Sequence, residues 1–141
     1  MDRKSFVRTS CLLCIGLSTG VLSVGSLVSC SPLPVFKTTA NDHHIRVQLN
    51  LFVNSSIQII RGGNLGYDIA LRKEKNGSFT ALQMRCTHAD NPLDISGNGF
   101  VCSLHGSTFN KEGEVTNGPA EIPLQKFKTM ITNTDIFINL N

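Results

Sequence analysis

The sequence predicts an all-β fold, a small antiparallel sandwich or barrel-like domain over residues 45–141 of the 141-residue chain. The first observation is that short stretches alternate between apolar and polar residues, with the period of half-buried strands. The second is that turn signals such as Asn76-Gly77 separate these stretches. The third is that no stretch after residue 44 carries apolar residues at helical spacing over a useful length.

The strands follow from this pattern in chain order. In Ile45–Leu51, aliphatic side chains alternate with Arg, Gln and Asn. The charged segment Lys73–Lys75 and the Asn76-Gly77 turn join two later strands as a hairpin. Gly62–Gly66 resembles a phosphate-binding loop, but no helical pattern follows it, so we expect a turn. The predicted strands cover residues 45–51, 56–61, 67–72, 79–84, 100–101, 107–109, 127–132 and 136–140.

Residues 1–29 have the layout of a secretory signal, in which a positive segment precedes an apolar stretch and small residues. Leu27-Val28-Ser29-Cys30 then resembles the bacterial lipobox, whose Cys is lipidated and becomes the first residue of the mature chain. Stable anchoring takes two membrane signals, which a lipidated and acylated Cys30 would supply. The alternative is an uncleaved N-terminal membrane anchor, because the apolar stretch approaches the roughly 20 residues of a membrane span.

Residues 30–44 are expected to form the lipidated Cys and a tether, because they contain Pro32 and Pro34, many polar residues and no clear periodicity. His43-His44 is predicted to be a pair of exposed tether histidines rather than a metal site. The expected location is therefore an exported lipoprotein, anchored on the periplasmic side or in the outer membrane.

The charge of the chain argues against a nucleic-acid partner. The formal net charge is +3, and three basic residues and one acidic residue lie in the first ten positions, so the remainder carries about +1. A nucleic-acid-binding surface needs a stronger basic footprint than this.

Two segments carry candidate metal ligands, Cys86-Thr87-His88 and Cys102-Ser103-Leu104-His105. Each is short enough for one tight loop to present its Cys and His together, and both residue types bind transition metals. Of the five cysteines, Cys11 and Cys14 lie in the apolar stretch and Cys30 in the lipobox, which leaves two for the folded domain. Those two could instead form a disulfide in an exported domain, but a disulfide would not require a His after each Cys.

The two segments together resemble the Rieske family, whose boxes read C-x-H and C-x-x-H and whose second box continues as Gly-Ser, here Gly106-Ser107. Gly118-Pro119-Ala120 resembles the segment that covers the cluster in that family, and Glu121–Leu124 continues the resemblance. The resemblance spans roughly residues 45–140. It implies a Rieske fold with two cluster-binding loops and one [2Fe–2S] cluster as cofactor.

The resemblance implies that Cys86 and Cys102 bind the inner iron as thiolates, while His88 and His105 bind the outer iron near the surface. Two neutral imidazoles make such a cluster less negative than an all-Cys cluster, so its potential lies between about −150 and +300 mV rather than near −400 mV. The implied function is single-electron transfer at a membrane, as a shuttle or as the electron-transfer subunit of an oxidoreductase. The implied partner is a redox protein or a quinone-linked complex.

Four positions indicate whether the cluster resembles that of the family members with a high reduction potential. Asn91 and Leu104 stand where the high-potential members carry two further cysteines in a disulfide, and Phe109 stands where they carry a Tyr. Ser107 is retained and can still donate a hydrogen bond to a sulfide. Because hydrogen bonds to the sulfurs raise the potential, we expect a value in the lower half of the Rieske range.

Two alternatives remain open at this point. The first is a structural Cys₂His₂ zinc-binding module, which suits the ligand types but has an unusual C-x-H spacing and leaves the Gly-Ser and Gly-Pro-Ala segments unexplained. The second is a Rieske fold that has lost its cluster, although the four ligand positions are intact. No catalytic Ser-His-Asp set or carboxylate pair at readable spacing is present, so an electron carrier or subunit is favoured over an enzyme.

Overall fold

The computed structural model describes residues 33–41 and 43–141, and the predicted signal and Cys30 lie outside these residues. Nearly all regular structure in the described part is β, which confirms the predicted fold class. The strands are β1 (Val35–Thr38), β2 (His44–Gln48), β3 (Ile57–Gly62), β4 (Asp68–Lys73), β5 (Phe79–Gln83), β6 (Asp94–Ser96), β7 (Gly99–Val101), β8 (Thr108–Phe109), β9 (Val115–Asn117), β10 (Lys126–Ile131) and β11 (Asp135–Asn139). One 3₁₀ helix, η1 (Leu49–Phe52), follows β2.

The described strands form two sheets. The larger has the order β1-β3-β4-β5-β10-β11-β2, and the smaller has the order β6-β7-β8-β9. β1 runs parallel to β3, whereas the other paired strands are antiparallel. The larger sheet encloses one apolar cluster, which includes the fully buried Ile60, Leu71 and Ile136. A second cluster includes Leu82 and Phe100 and also contains both cysteines of the predicted site.

The segment predicted as a tether contributes strand β1. Val35–Thr38 lies beside Ile59–Gly62, and the N–H of Ile59 donates to the carbonyl of Pro34 at 3.0 Å. The side chain of Phe36 is half-buried against the larger core. The sequence did not indicate this strand because it is a short strand at the edge of the sheet. Two of its four residues are exposed and the other two are only half-buried, so the strand has no fully buried residue.

The predicted strand over residues 45–51 ends early, at Gln48, and residues 49–52 turn instead as η1. The N–H of Leu49 donates to the carbonyl of Thr134 at 2.9 Å, and this hydrogen bond follows directly on the pairing of β2 with β11. Phe52 then enters the core, where its ring packs edge-to-face on Phe79 at 4.9 Å. This tertiary packing overrides the local alternation.

The topology places both loops of the predicted site beside one core. β5 leads into the first loop and β7 into the second, and the smaller sheet joins the two. The register of β1, β3, β4 and β5 also puts the C-terminal ends of β1, β3 and β5 at the same end of the larger sheet. Val35, the first residue of β1, lies level with Leu82 of β5, four residues before Cys86. In the described part of the chain, no helix has the length and apolar character needed to cross a membrane.

Candidate metal centre

The first loop, residues 86–91, is closed by two backbone hydrogen bonds. The N–H of Cys86 donates to the carbonyl of Asn91 at 2.8 Å, and the N–H of Asp90 donates to the carbonyl of Cys86 at 2.9 Å. Asp90 has a positive φ of 55°, a left-handed conformation that Asp tolerates better than most residues. The loop thus reverses direction tightly, and its backbone has a fixed frame.

The second loop, residues 102–107, has the same frame. The N–H of Cys102 donates to the carbonyl of Ser107 at 2.8 Å, and the N–H of Gly106 donates to the carbonyl of Cys102 at 3.0 Å. Gly106 has a φ of 79°, so the left-handed residue again comes four positions after the Cys. The backbone of the loop therefore favours the Gly of the Cys-x-x-His-Gly-Ser box, since Gly adopts this conformation without strain.

The structure brings the two cysteines together in the core. Cys86 and Cys102 are 1% and 0% exposed, and both thiols are free. Burial of the Cys102 thiol opposes its ionisation. Hydrogen bonds from the backbone N–H groups of Leu104 and His105, and from the side chains of Cys86 and Asn91, outweigh that effect and lower the pKa of Cys102. The surroundings of this sulfur therefore ease its ionisation to the thiolate, the form that binds a metal.

The two histidines lie together at the surface. The rings of His88 and His105 are exposed, their centroids are 5.3 Å apart, and the rings meet edge-to-face at 81°. Each imidazole belongs to a different loop. The site therefore has a buried pair of thiols and an exposed pair of imidazoles, which is the division between inner and outer ligands that the sequence predicts.

A third segment, residues 118–122, packs against both loops. The hydroxyl oxygen of Ser107 accepts the N–H of Ala120 at 3.0 Å in a buried position, and the hydroxyl of Thr87 donates to the carbonyl of Ile122 at 2.7 Å. The Gly118–Pro119 peptide bond is cis, and both residues are exposed. Hydrogen bonds thus hold the segment predicted to cover the site against both loops.

Two residues near the site were not predicted to act there. The side-chain amide of Asn91 lies 3.7 Å from the sulfur of Cys102, and the amide of Asn117 donates to the carbonyl of Gly106 at 3.2 Å. The sequence marked Asn91 only as a position without a cysteine, and nothing in the sequence distinguishes the amide of Asn117 from other amides in loops. Phe109, predicted beside the site, is 2% exposed and belongs to the same apolar cluster as the two cysteines.

Comparison with known proteins identifies the family. A model of the Rieske [2Fe-2S] domain matches residues 56–128, just over half of the chain. The chain belongs to the Rieske [2Fe-2S] domain family. This family binds one [2Fe–2S] cluster, so the zinc module is no longer needed as an alternative.

The Rieske domain is also similar to curated proteins and solved structures. It is 34% identical over 68 residues to the cytochrome b6-f complex iron-sulfur subunit of Chlorobaculum thiosulfatiphilum, covering 46% of this chain and 37% of that protein. The chain therefore spans well under half of that relative.

Two solved structures share its fold. One is the plasma membrane Rieske protein of Synechocystis PCC 6803, with a TM-score of 0.57, 21% identity and coverage of 67% of this chain and 98% of that one. The other is the ferredoxin of carbazole 1,9a-dioxygenase from Nocardioides aromaticivorans IC177, with a TM-score of 0.52, 19% identity and coverage of 70% and 98%.

The side chains of this Rieske domain fit the cluster of its family. Two buried thiols and two exposed imidazoles match the Cys₂ and His₂ halves of a Rieske cluster, which has two His ligands on one iron. Among residues 33–41 and 43–141, no three His, Cys, Asp or Glu side chains converge as ligands of a single metal ion. His43 and His44, predicted to be exposed, are exposed at the start of β2.

Proposed function

We propose that this chain transfers single electrons through a [2Fe–2S] cluster bound by Cys86, Cys102, His88 and His105. The observation that carries the proposal is the division of the site. Two loops of the same hydrogen-bonded frame supply one buried thiol and one exposed imidazole each. The thiols would hold the inner iron and the imidazoles the outer iron.

The side chains of the site suit electron transfer. The bound cluster supplies a one-electron acceptor, and the protein sets its surroundings. The buried sulfurs of Cys86 and Cys102 are kept from water by an apolar cluster that includes Phe100 and Phe109. The exposed rings of His88 and His105 offer a short path to a docked partner, and a neutral imidazole can couple proton loss to electron transfer.

The experiment that tests this function is electron paramagnetic resonance of the purified protein after reduction with dithionite. A Rieske-type signal that accounts for one electron per chain is expected, and it should disappear on reoxidation. Variants His88→Ala and His105→Ala should lose that signal, whereas His43→Ala, at an exposed histidine outside the site, should keep it. A wild-type protein that contains iron but takes up no electron would contradict the proposal.

Rieske clusters as a class have reduction potentials between about −150 and +300 mV. We further propose that the potential of this cluster lies in the lower half of that range. Phe109 has no hydroxyl to donate to a ligand sulfur, and Leu104 is 54% exposed and turned to solvent. Ser107 keeps a hydroxyl whose oxygen already accepts the N–H of Ala120, so its proton remains available as a donor.

Phe109→Tyr tests this assignment, because an added phenol donor near the cysteines should raise the midpoint potential measured by redox titration. Phe127→Tyr is the control, since Phe127 lies in the other apolar cluster. A wild-type midpoint near the top of the range, or a lower midpoint in Phe109→Tyr, would refute the proposal.

The last part of the proposal is a membrane anchor at Cys30 and a redox partner that meets the histidine face. The imidazoles of His88 and His105 are exposed, so a partner can reach them. Some similar proteins are subunits of the cytochrome b6-f complex and another is a dioxygenase ferredoxin, which supports either a bound subunit or a free shuttle.

Fractionation of cells tests the anchor and the partner together. The wild type should sediment with membranes and the Cys30→Ser variant should not be lipidated, which mass spectrometry of the N-terminal peptide would show. Co-purification of a stoichiometric membrane complex would indicate a subunit, and its absence with retained membrane binding would indicate a shuttle. Wild-type protein found unlipidated in the soluble fraction would contradict the anchor.

A further inference from the structure

Asn91 connects the two loops of the site. Its backbone carbonyl accepts the N–H of Cys86 at 2.8 Å, within the first loop. Its side-chain amide reaches the second loop, where Nδ2 lies 3.7 Å from the sulfur of Cys102, and the same nitrogen donates to the carbonyl of Pro92 at 3.0 Å. The amide is thus held in place from one loop while it points at a cysteine of the other.

The surroundings of this contact increase its electrostatic effect. Cys102 is fully buried, and Asn91 is only partly exposed. An N–H group that points at a sulfur in a poorly solvated site interacts more strongly than it would in water. Leu104, the residue at the other position where high-potential family members carry a further cysteine, is 54% exposed.

We propose that Asn91 is a positioning residue that donates an N–H···S hydrogen bond to Cys102, fastens the two loops together and raises the electron affinity of the site. The inference rests on the proposed function, since it takes Cys102 as a ligand of the cluster. Reduction adds one electron and one negative charge and breaks no bond. A donor aimed at a ligand sulfur stabilises the more negative state more, so it makes reduction easier.

The test is a redox titration of the iron-loaded full chain, with dithionite as reductant, for the wild type and Asn91→Leu. Leu has the same branching and the same number of side-chain heavy atoms as Asn but no donor. The equilibrium constant for reduction should therefore fall by up to about tenfold, which is about 59 mV for a one-electron couple. The g-values of the reduced protein should stay the same, because the ligands are unchanged. A purely structural role would lower cluster occupancy without moving the midpoint of the loaded fraction.

Two further variants keep the experiment decisive. Asn91→Asp keeps the shape but replaces the donor with a negative oxygen, so its midpoint should fall below that of Asn91→Leu even if the latter loads poorly. Asn76→Leu is the matched control, because the amide oxygen of Asn76 accepts from Ser78 in the turn between β4 and β5. Its midpoint should stay at the wild-type value.

The outcomes separate this inference from the function on which it rests. A wild type with a Rieske-type signal and an unchanged midpoint in Asn91→Leu and Asn91→Asp would overturn the role of Asn91 alone. A wild type without any such signal would overturn the proposed function and this inference with it.

Discussion

Replacing Ser107 with Ala removes the buried hydrogen bond between the second loop and the covering segment. Ser107 is 0% exposed, and its hydroxyl oxygen accepts the N–H of Ala120, itself 4% exposed, at 3.0 Å. Alanine leaves the backbone bond between Cys102 and residue 107 in place. In the covering segment, the change leaves one buried donor, the N–H of Ala120, without its acceptor. It also removes the hydroxyl proton that is available to a sulfide.

The expected magnitude follows from the burial of that donor. A buried N–H that loses its acceptor costs about 1–3 kcal/mol, so local opening of residues 118–120 should become about 5- to 150-fold more populated. Thr87→Val is the matched control. The hydroxyl of Thr87 donates to the carbonyl of Ile122 at an exposed position, where water can take its place, so its loss should cost under about 1 kcal/mol.

Hydrogen exchange measured by mass spectrometry on a peptide that covers residues 116–124 reports this opening directly. Ser107→Ala should exchange faster at Ala120 by the factor given above, and Thr87→Val should stay within about fivefold of the wild type. Equal protection of Ala120 in Ser107→Ala and in the wild type would refute the view that this hydrogen bond holds the covering segment.

Two further predictions concern the scaffold. The hydrogen bond from Arg46 is the largest of the effects that lower the pKa of Asp135. The ionised carboxylate of Asp135 therefore stabilises the fold fully above the ordinary Asp pKa of about 3.9. That stabilisation is lost as the pH falls through the lowered pKa of the folded protein. Urea unfolding of Asp135→Asn should show a deficit at pH 7 that shrinks toward pH 2, and a deficit that grows on acidification would contradict this sign. A Cβ at Gly99 would overlap the carbonyl oxygen of Phe109 on the neighbouring strand, so Gly99→Ala should lower the unfolding free energy by about 1–3 kcal/mol. Gly66→Ala, where a Cβ meets open space, should be close to neutral, and equal melting temperatures for the two variants would count against the argument.

The strands with strong local signals were predictable. β3, β4 and β5 lie close to their predicted bounds because alternation and the Asn76-Gly77 turn agree with the long-range pairing. The turn itself is observed, since the N–H of Glu74 donates to the carbonyl of Ser78 at 2.8 Å. Local and global preferences coincide in this part of the chain.

The missed elements depend on distant partners. β1 exists because β3 offers a parallel edge, and η1 exists because Phe52 packs on Phe79. The short strands β6 and β9 have three residues each, too few for a period to show. Such elements are set by tertiary packing, which no window of neighbouring residues contains.

The composition of the site was predictable, but its supporting contacts were not. The two Cys-His segments and Gly118-Pro119-Ala120 indicated the residues that the structure brings together. The equivalent frames of the two loops and the amide of Asn91 beside Cys102 could not be inferred, because they depend on backbone hydrogen bonds and on a contact across the loops. A motif names residue types, whereas the geometry around them decides which neighbour faces a sulfur.

The most direct measurement of the central claim is the iron and acid-labile sulfide content of the purified chain, compared with that of Cys86→Ser and Cys102→Ser. The account predicts two irons and two sulfides per wild-type chain, as the [2Fe-2S] description of the family requires, and a loss of both in either variant. Iron or zinc without sulfide, or full sulfide content in both variants, would contradict it.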